Sequence, residues 1–329
     1  MNHRKPLMFV AAALLATLAI SACGGSDKVA DSPQREFTDN PTPIAGVSTA
    51  AEFPLSIPRS DGKTSTLPQP AARIVSLSPG ATEIIYALDA QSALLAVSTD
   101  ADYPPAAATF ATKLDPAQAT VQAVTALNPD LVIVASNANG IIDGLDQAGI
   151  PVFYQDDASI KSISDVLGQI ILLGRATGKT TEATALVTTL GSRIQVVEDT
   201  LQGASTSSGP RIYHEVDPTF VTVADDSLTG DLYRTLRVRN IAGDGGGSAR
   251  PQLNAATIIA SDPTVIILAD EAQGVTVEAA SARPGWSAIA AVVNDRVYTI
   301  DGARVSRPGP RIVDALEQLA KLLYPTRFP

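Results

Sequence analysis

The sequence contains very few residues of the types that build covalent or metal-linked frameworks. Among its 329 residues there are one cysteine, Cys23, and two histidines, His3 and His214. A lone cysteine excludes an intramolecular disulfide framework and a CxxC metal site. Because His3 lies in an N-terminal segment that is predicted below to be removed, His214 alone cannot build a His-rich zinc or manganese site. The sequence therefore predicts no resident metal ion and no cofactor.

Aromatic and charged residues are also scarce. Aromatic side chains make up 5% of the chain and charged ones 18%, whereas 45% of the residues are hydrophobic, so we expect an aliphatic core. The net charge of −10 argues against a nucleic-acid partner, because an acidic chain does not displace the counterions of phosphates. The length is sufficient for two domains.

The first 23 residues form a distinct segment. A basic stretch, Asn2–Lys5, precedes an apolar run, Pro6–Ile20, that is too short to span a bilayer comfortably. Ser21 and Ala22 then precede Cys23, as in the lipobox of bacterial lipoproteins. We expect residues 1–22 to be a lipoprotein signal peptide and Cys23 to be lipidated. The chain would then be exported and lipid-anchored at the cell envelope, in the periplasm or on the outer face of the cytoplasmic membrane. An ordinary signal peptide with an incidental cysteine is the alternative.

The rest of the chain divides into a polar stretch and an alternating pattern. Residues 23–67 are rich in Gly, Ser, Asp, Thr and Pro and predict a flexible tether, with an edge strand at Phe53–Ile57. From Arg73 onward, short apolar runs alternate with helical periodicity, which is typical of parallel sheets covered on both faces. The predicted strands are Arg73–Leu77, Leu94–Val97, Leu131–Ala135, Pro151–Tyr154, Arg211–Val216, Val265–Ala269 and Arg296–Ile300.

A weak internal repeat accompanies this pattern. Val124–Ala135 resembles Ile258–Ala269, and both segments indicate a helix, an Asx-Pro turn and a buried strand. A long helical stretch with apolar residues from Ile160 to Gly174 lies between the two copies. Two similar lobes joined by that helix would explain the arrangement, and chance similarity between two such units is the alternative. The predicted fold class is therefore α/β, with two parallel-sheet lobes joined by a single long helix.

Four motifs occur in order along the chain, Arg73–Ile84, Asp102–Pro105, Asn128–Ile133 and Arg307–Ile312. Together they resemble the class III substrate-binding proteins, which serve ABC importers of cobalamin, ferric siderophores and haem. The resemblance extends from Ala72 to Tyr324.

The resemblance implies the class III periplasmic-binding fold with limited hinge motion. An N-terminal lobe would occupy residues 68–158, a rigid interlobe helix 159–178 and a C-terminal lobe 179–329. It also implies a ligand in the interlobe cleft, with an ABC permease and its ATPase as partners. We expect the protein to be a monomer.

The cleft should be lined by residues that follow strands, because ligands bind beyond the carboxyl ends of parallel strands. Arg307 matches an arginine that contacts ligand in the cobalamin-binding members, whereas the other residues are inferred from topology. The predicted ligand-binding residues are Ser78, Asp100, Tyr103, Asn137, Glu215, Arg250, Asp270, Arg304 and Arg307.

The sequence departs from the family at two sets of positions. Cobalamin-binding relatives carry aromatic residues where this chain has Asp100, Pro116, Ala135 and Arg250. Family members also carry one permease-docking glutamate in each lobe, where this chain has Gln122 and Ala256.

Arginines in the cleft suit acidic groups and flat conjugated surfaces. The expected ligand is therefore a bulky metal chelate, either a corrinoid such as cobalamin or a ferric siderophore. Haem is less favoured, because its axial ligand would have to come from Tyr103 or His214.

Several features resemble catalytic motifs, but we interpret them as structural. Gly174–Thr180 lacks one residue of a phosphate-binding loop and follows a helix, so it predicts a helix end capped at Gly178. His214 is expected to be a strand residue with a satisfied ring, and Asp217 to belong to a turn rather than to an acid pair with Glu215. No nucleophile with a base is identifiable, so we expect a binding protein and not an enzyme. The alternatives are an exported α/β hydrolase and a ligand-sensing lipoprotein without a transporter.

Overall fold

The computed structural model describes residues 52–137 and 139–329, so Cys23 and the signal peptide lie outside the described residues. The described part begins with an antiparallel hairpin of β1 (Leu55–Pro58) and β2 (Thr64–Leu67). Leu55, Ile57 and Leu67 of this hairpin are buried. The edge strand expected near Phe53–Ile57 is therefore confirmed, and residues 55–67 of the predicted tether belong to the folded chain.

The N-terminal sheet has five parallel strands in the order β5-β4-β3-β6-β7. The residues of its central strands β3 and β6 are all buried, which agrees with their continuous apolar sequences. Its strands and helices are β3 (Ile74–Leu77), α1 (Pro79–Ala87), β4 (Leu94–Ser98), α2 (Pro105–Ala108), β5 (Lys113–Leu114), α3 (Val121–Thr125), β6 (Leu131–Val134), α4 (Ile141–Gln147) and β7 (Val152–Tyr154).

Two consecutive helices connect this sheet to the next, α5 (Ile163–Ala176) and α6 (Thr180–Thr200). Helix α5 is shorter than the predicted span 159–178, because the Ser162 side chain caps its first turn and Gly178 leaves helical geometry with φ of 72°. The phosphate-loop resemblance at Gly174–Thr180 is thus a helix end, as expected. Helix α5 contacts α1 and β1 on one side.

The C-terminal sheet has four parallel strands in the order β11-β10-β8-β9. Its strands and helices are β8 (Arg211–Glu215), α7 (Leu228–Thr235), β9 (Arg239–Asn240), α8 (Ala255–Ser261), β10 (Val265–Leu268), α9 (Val277–Ser281), α10 (Ala290–Val293), β11 (Val297–Thr299), α11 (Gly302–Ser306) and α12 (Ile312–Leu323). Helix α5 also contacts α7, so it touches elements of both halves. The predicted α/β fold class is therefore confirmed.

The internal repeat is present in three dimensions. In both copies a short helix is followed by an Asx residue in left-handed geometry, with φ of 51° at Asn128 and 44° at Asp262. A proline and a fully buried four-residue strand follow in each, β6 after Pro129 and β10 after Pro263. Asn and Asp adopt this geometry more readily than other non-glycine residues, so the turn explains the matching Asx-Pro pairs.

The hydrophobic core runs through both halves of the chain. One buried cluster includes Ile84 of α1, Ile170 of α5, Leu232 of α7 and Leu316 of α12. Helix α5 therefore shares its packing with both sheets rather than linking two separate cores. No helix in the described part of the chain is long and apolar enough to cross a membrane.

Candidate functional site

A set of four charged residues links the carboxyl ends of the two sheets. Glu83 belongs to α1 and Asp102 follows β4, whereas Arg307 and Arg311 lie between α11 and α12. Arg307 Nη1 lies 3.2 Å from Glu83 Oε1 and 2.5 Å from Asp102 Oδ1. Arg311 donates to both carboxylate oxygens of Glu83, with Nε–Oε2 at 3.0 Å and Nη2–Oε1 at 2.6 Å. We call these four residues the Glu83 network.

The Glu83 network is held by very close packing between α1 and the loop before α12. A Cβ atom added at Gly80 would lie 2.5 Å from the carbonyl oxygen of Pro308, which no side chain tolerates. A Cβ atom at Gly309 would lie 3.0 Å from Glu83 Oε2. The motif glycines thus allow the two segments to approach, and the ion pairs then form across the contact.

Tyr103 lies at the exposed edge of the Glu83 network. The guanidinium carbon of Arg311 is 4.0 Å from the centre of the Tyr103 ring, a cation–π contact. The Tyr103 side chain remains 42% exposed. Its free ring face and the neighbouring arginines can contact a flat, polar ligand.

Two more acidic residues, Asp100 and Asp157, follow strands β4 and β7 of the N-terminal sheet. The backbone carbonyl of Asp100 accepts from Arg307 Nη2 at 3.4 Å. Asp157 follows β7, and its pKa is raised to about 7 by burial first and then by the charges of Asp156 and Asp100. Arg307 opposes that rise, so it lies close enough to sense Asp157. This wall of the site is therefore acidic and faces the arginines.

A second cluster lies at the carboxyl ends of β8 and β10. Glu215 is fully buried and accepts from Arg283 through both oxygens at 2.6 Å and from Tyr213 Oη at 2.9 Å. Arg283 also lies over the Trp286 ring, with 4.6 Å from its guanidinium carbon to the ring centre. Asp270 is fully buried beside Glu215, and burial together with the Glu215 carboxylate raises the Asp270 pKa to about 7.

A cavity of about 310 Å³ opens where β10 and β11 end. Asp301 connects it to the Glu83 network, because Asp301 Oδ2 lies 3.7 Å from Arg311 Nη1. The lining residues are Ala269, Glu271, Ala272, Ile300, Asp301 and Gly302. Within residues 52–137 and 139–329, no group of three or more His, Cys, Asp or Glu side chains is arranged to hold a metal ion.

The structure brings together some of the predicted ligand-binding residues. Arg307, Asp100 and Tyr103 lie in or beside the Glu83 network. Glu215 and Asp270 also end neighbouring strands, but both are fully buried. Asp100 and Tyr103 are exposed, whereas the side chain of Arg307 is largely buried by its contacts with Glu83 and Asp102.

Four other predicted residues have local roles. Ser78 is buried and its Oγ caps α1 by accepting from the Ala81 N–H, and Asn137 Oδ1 accepts from the Ile142 N–H. Arg304 donates to Gln318 on α12 at 3.3 Å.

Arg250 is exposed, and its charge adds to burial in lowering the His214 pKa to about 3. His214 itself is a buried strand residue with Nδ1 at 2.5 Å from Tyr233 Oη, and Asp217 accepts from the Thr219 N–H in a turn, as expected for both.

Sequence reasoning did not select Glu83, Asp102, Arg311 or Asp157 as site residues. Glu83, Asp102 and Arg311 lie within the motifs that resemble the family, so these motifs could have identified them. Asp157 lies three residues after β7, and its position beyond a strand end was the only sequence signal.

The chain is similar to several known proteins. A family model described as "Periplasmic binding protein" matches residues 74–303. An uncharacterized ABC transporter substrate-binding lipoprotein of Bacillus subtilis is 30% identical over 324 residues, covering 97% of this chain and 97% of that protein. A cobalamin-binding protein of Halobacterium salinarum is 26% identical over 320 residues, covering 95% of this chain and 84% of that protein. The crystal structure of the periplasmic vitamin B12-binding protein of Vibrio cholerae matches with a TM-score of 0.67 and 26% identity, over 79% of this chain and 99% of that one.

Proposed function

Because the chain belongs to the periplasmic binding protein family, we propose that it captures a metal chelate between its two sheets and delivers it to an ABC importer. Family membership makes it a solute-binding protein and not an enzyme. The observation that carries the proposal is the position of Arg307, Arg311 and Tyr103 where the carboxyl ends of both sheets meet.

The proposed ligand is a corrinoid, with a ferric siderophore as the second candidate. The names of two relatives favour the corrinoid, since one is a cobalamin-binding and the other a vitamin B12-binding protein. The exposed face of Tyr103 and the two guanidinium groups can stack on a flat macrocycle and bind its polar edge. For haem, Tyr103 is the one remaining candidate axial ligand of the two named above, because His214 is buried against Tyr233 and cannot reach an iron in the cleft.

Calorimetry on the purified mature protein tests the proposed ligand. We expect cyanocobalamin to bind with micromolar or tighter affinity, whereas the uncharged ferric siderophore ferrichrome and haem should bind more weakly. Binding of ferrichrome alone would shift the assignment to the siderophore. Binding of none of the three would contradict the chelate proposal.

We further propose that the protein is a lipid-anchored monomer that works with a permease and its ATPase. Cys23, which lies outside the described residues, is the proposed lipidation site. Labelling with a fatty-acid probe should disappear in Cys23→Ala, and undiminished labelling would refute the anchor. Uptake of radiolabelled ligand by cells should depend on the chain, and unchanged uptake after its deletion would favour a ligand sensor.

Docking on the permease is proposed to differ from the two-glutamate scheme. Gln122 on α3 and Ala256 on α8 are exposed at equivalent points of the internal repeat, and neither side chain can form an ion pair. Association with the permease should therefore depend on salt only weakly, since exposed charge pairs mainly steer encounter. A Gln122→Glu, Ala256→Glu variant should increase that salt dependence.

A further inference from the structure

We propose that Asp102 sets the ligand selectivity of the cleft by competing with acidic groups of the ligand for Arg307. This inference rests on the proposed solute-binding function and concerns the same site. It identifies Asp102 as a residue whose side chain opposes the binding of acidic solutes. The inference starts from a difference in exposure between the two carboxylates that bind Arg307, those of Glu83 and Asp102.

The two acids on Arg307 differ sharply in exposure. The side chain of Glu83 is 2% exposed and is held by Arg311 as well, whereas that of Asp102 is 61% exposed. Replacing Glu83 would require taking apart the contact between α1 and the loop before α12. Asp102 can turn into solvent without disturbing that contact, so it is the partner that a ligand can replace.

Asp102 is nevertheless an effective competitor. Its Oδ1 lies 2.5 Å from Arg307 Nη1 and 4.0 Å from Arg311 Nη2, so it faces both guanidinium groups. Burial alone would raise the Asp102 pKa, but the hydrogen bond and charge of Arg307 lower it below its ordinary value. Asp102 is therefore ionised at neutral pH and neutralises the guanidinium charge of Arg307, to which an acidic solute would otherwise bind.

The charge balance defines the ligands that the cleft accepts. Two arginines meet two carboxylates in the Glu83 network, so the network has no excess positive charge. A simple monocarboxylate gains little by exchanging with Asp102, because one carboxylate replaces another. A ligand that binds through stacking and through its amides does not have to displace Asp102 from Arg307. The ion pair of Asp102 and Arg307 thus disfavours small organic acids and favours bulky chelates with neutral polar edges.

A matched pair of ligands separates this role from others. Cyanocobalamin carries peripheral amides, and its monocarboxylic acid derivatives replace one amide by a carboxylate. In Asp102→Asn we expect the affinity for at least one of these acids to rise about three- to tenfold, the value of one partly exposed ion pair. The affinity for cyanocobalamin itself should change less than about twofold on the same basis.

The control is Glu182→Gln, which removes another exposed, ion-paired carboxylate. Glu182 pairs with Lys179 at 3.2 Å and lies in the first turn of α6, and it is not part of the Glu83 network. The Glu182→Gln variant should leave the affinities for cyanocobalamin and for its monocarboxylic acids unchanged. Combining Asp102→Asn with Arg307→Gln should abolish the gain, because the competition requires the guanidinium. Asp102→Ser is the second variant and should change both affinities in the same direction as Asp102→Asn.

The opposite result would overturn the inference. Weaker binding of the acid derivatives by Asp102→Asn would mean that Asp102 positions Arg307 for the ligand or contacts it. An equal gain for cyanocobalamin and for its acids would also refute selectivity by charge.

Free citrate provides a readout that does not depend on the proposed function. If the wild type binds no chelate, the proposed function fails, but Asp102→Asn should still bind citrate more tightly than the wild type does. Equal citrate affinity in the two proteins would refute competition at Arg307.

Discussion

The carboxylate of Glu83 and the guanidinium of Arg311 meet side-on, with two hydrogen bonds across 228 residues of sequence. Both side chains are almost fully buried, and Arg307 approaches the same carboxylate from the other side. The pair therefore closes the contact between α1 and the loop before α12. Its energetic value depends on its burial, because exposed pairs contribute little.

Glu83→Gln should lower the free energy of unfolding by about 3 kcal/mol, since removing one partner leaves buried charge uncompensated. This is the lower end of the usual range, because Arg307 retains Asp102. Urea denaturation at neutral pH measures the change. Glu182→Gln, which breaks an exposed pair with Lys179, should cost less than about 0.5 kcal/mol. Equal losses in both variants would show that the buried pair has no special value.

Arg307→Ala should weaken ligand binding about ten- to a hundredfold, the value of one charged hydrogen bond to a desolvated group. Arg307→Lys should recover part of the loss, because an ammonium group cannot reproduce the planar fork. Calorimetry with the ligand identified above measures both. Arg239→Ala is the control, since Arg239 contacts the carbonyl of Gly209 at the amino end of the C-terminal sheet. An unchanged affinity in Arg307→Ala would remove Arg307 from the binding site.

The buried pair of Glu215 and Asp270 should make stability depend on pH. The Asp270 pKa is about 7 in the folded chain, against an ordinary value of 3.8. Between these values the folded state holds a proton that the unfolded chain has lost, so stability should fall as pH rises from about 4 to about 7. Asp157, whose pKa is also about 7, contributes a slope of the same sign, so Asp270→Asn should reduce the slope of the urea midpoints with pH and not remove it. Asp199→Asn, on the exposed face of α6, should leave the slope as in the wild type. A slope that is undiminished in Asp270→Asn would remove Asp270 as its source.

Two glycine substitutions should have opposite effects on stability. Gly80→Ala places a methyl group 2.5 Å from the Pro308 carbonyl oxygen and should destabilise the fold by about 1–3 kcal/mol. Gly168→Ala, inside α5, meets no atom within 4 Å and should stabilise by about 0.5–1 kcal/mol through helix propensity. Thermal denaturation measures both. A stable Gly80→Ala protein would mean that α1 and the loop can separate without cost.

Most of the secondary structure could be predicted from the sequence, because buried parallel strands leave continuous apolar runs. Strands β3, β6 and β10 match the predicted runs to within one residue at each end. The two-residue strands β5 and β9 were missed, since Lys113–Leu114 and Arg239–Asn240 have no apolar run. The extent of α5 was overestimated, because local capping by Ser162 decides where it begins.

The candidate site was predictable only in outline. Position after strand ends led to Asp100 and Tyr103, and the family motif led to Arg307, and all three lie in or beside the Glu83 network. Neither signal reveals pairing over distance, such as Glu83 with Arg307 or Glu215 with Arg283. Those pairs depend on how elements far apart in sequence pack together, which no periodicity in the chain encodes. Ser78 and Asn137, which are predicted ligand contacts, both accept hydrogen bonds from backbone N–H groups, a local role that position after a strand end does not reveal.

The hydrophobic cluster that runs from α1 through α5 to α7 and α12 has a thermodynamic consequence. With one shared core, the two sheets should melt together in a single cooperative transition, so that calorimetric and van't Hoff enthalpies agree. A solute that touches residues of one sheet then stabilises the entire chain, by about 2.7 kcal/mol at a concentration of 100 times its dissociation constant. The melting temperature of the whole chain therefore reports binding at either sheet. A broad library of chelates can be screened by this temperature without knowing in advance which sheet each compound contacts.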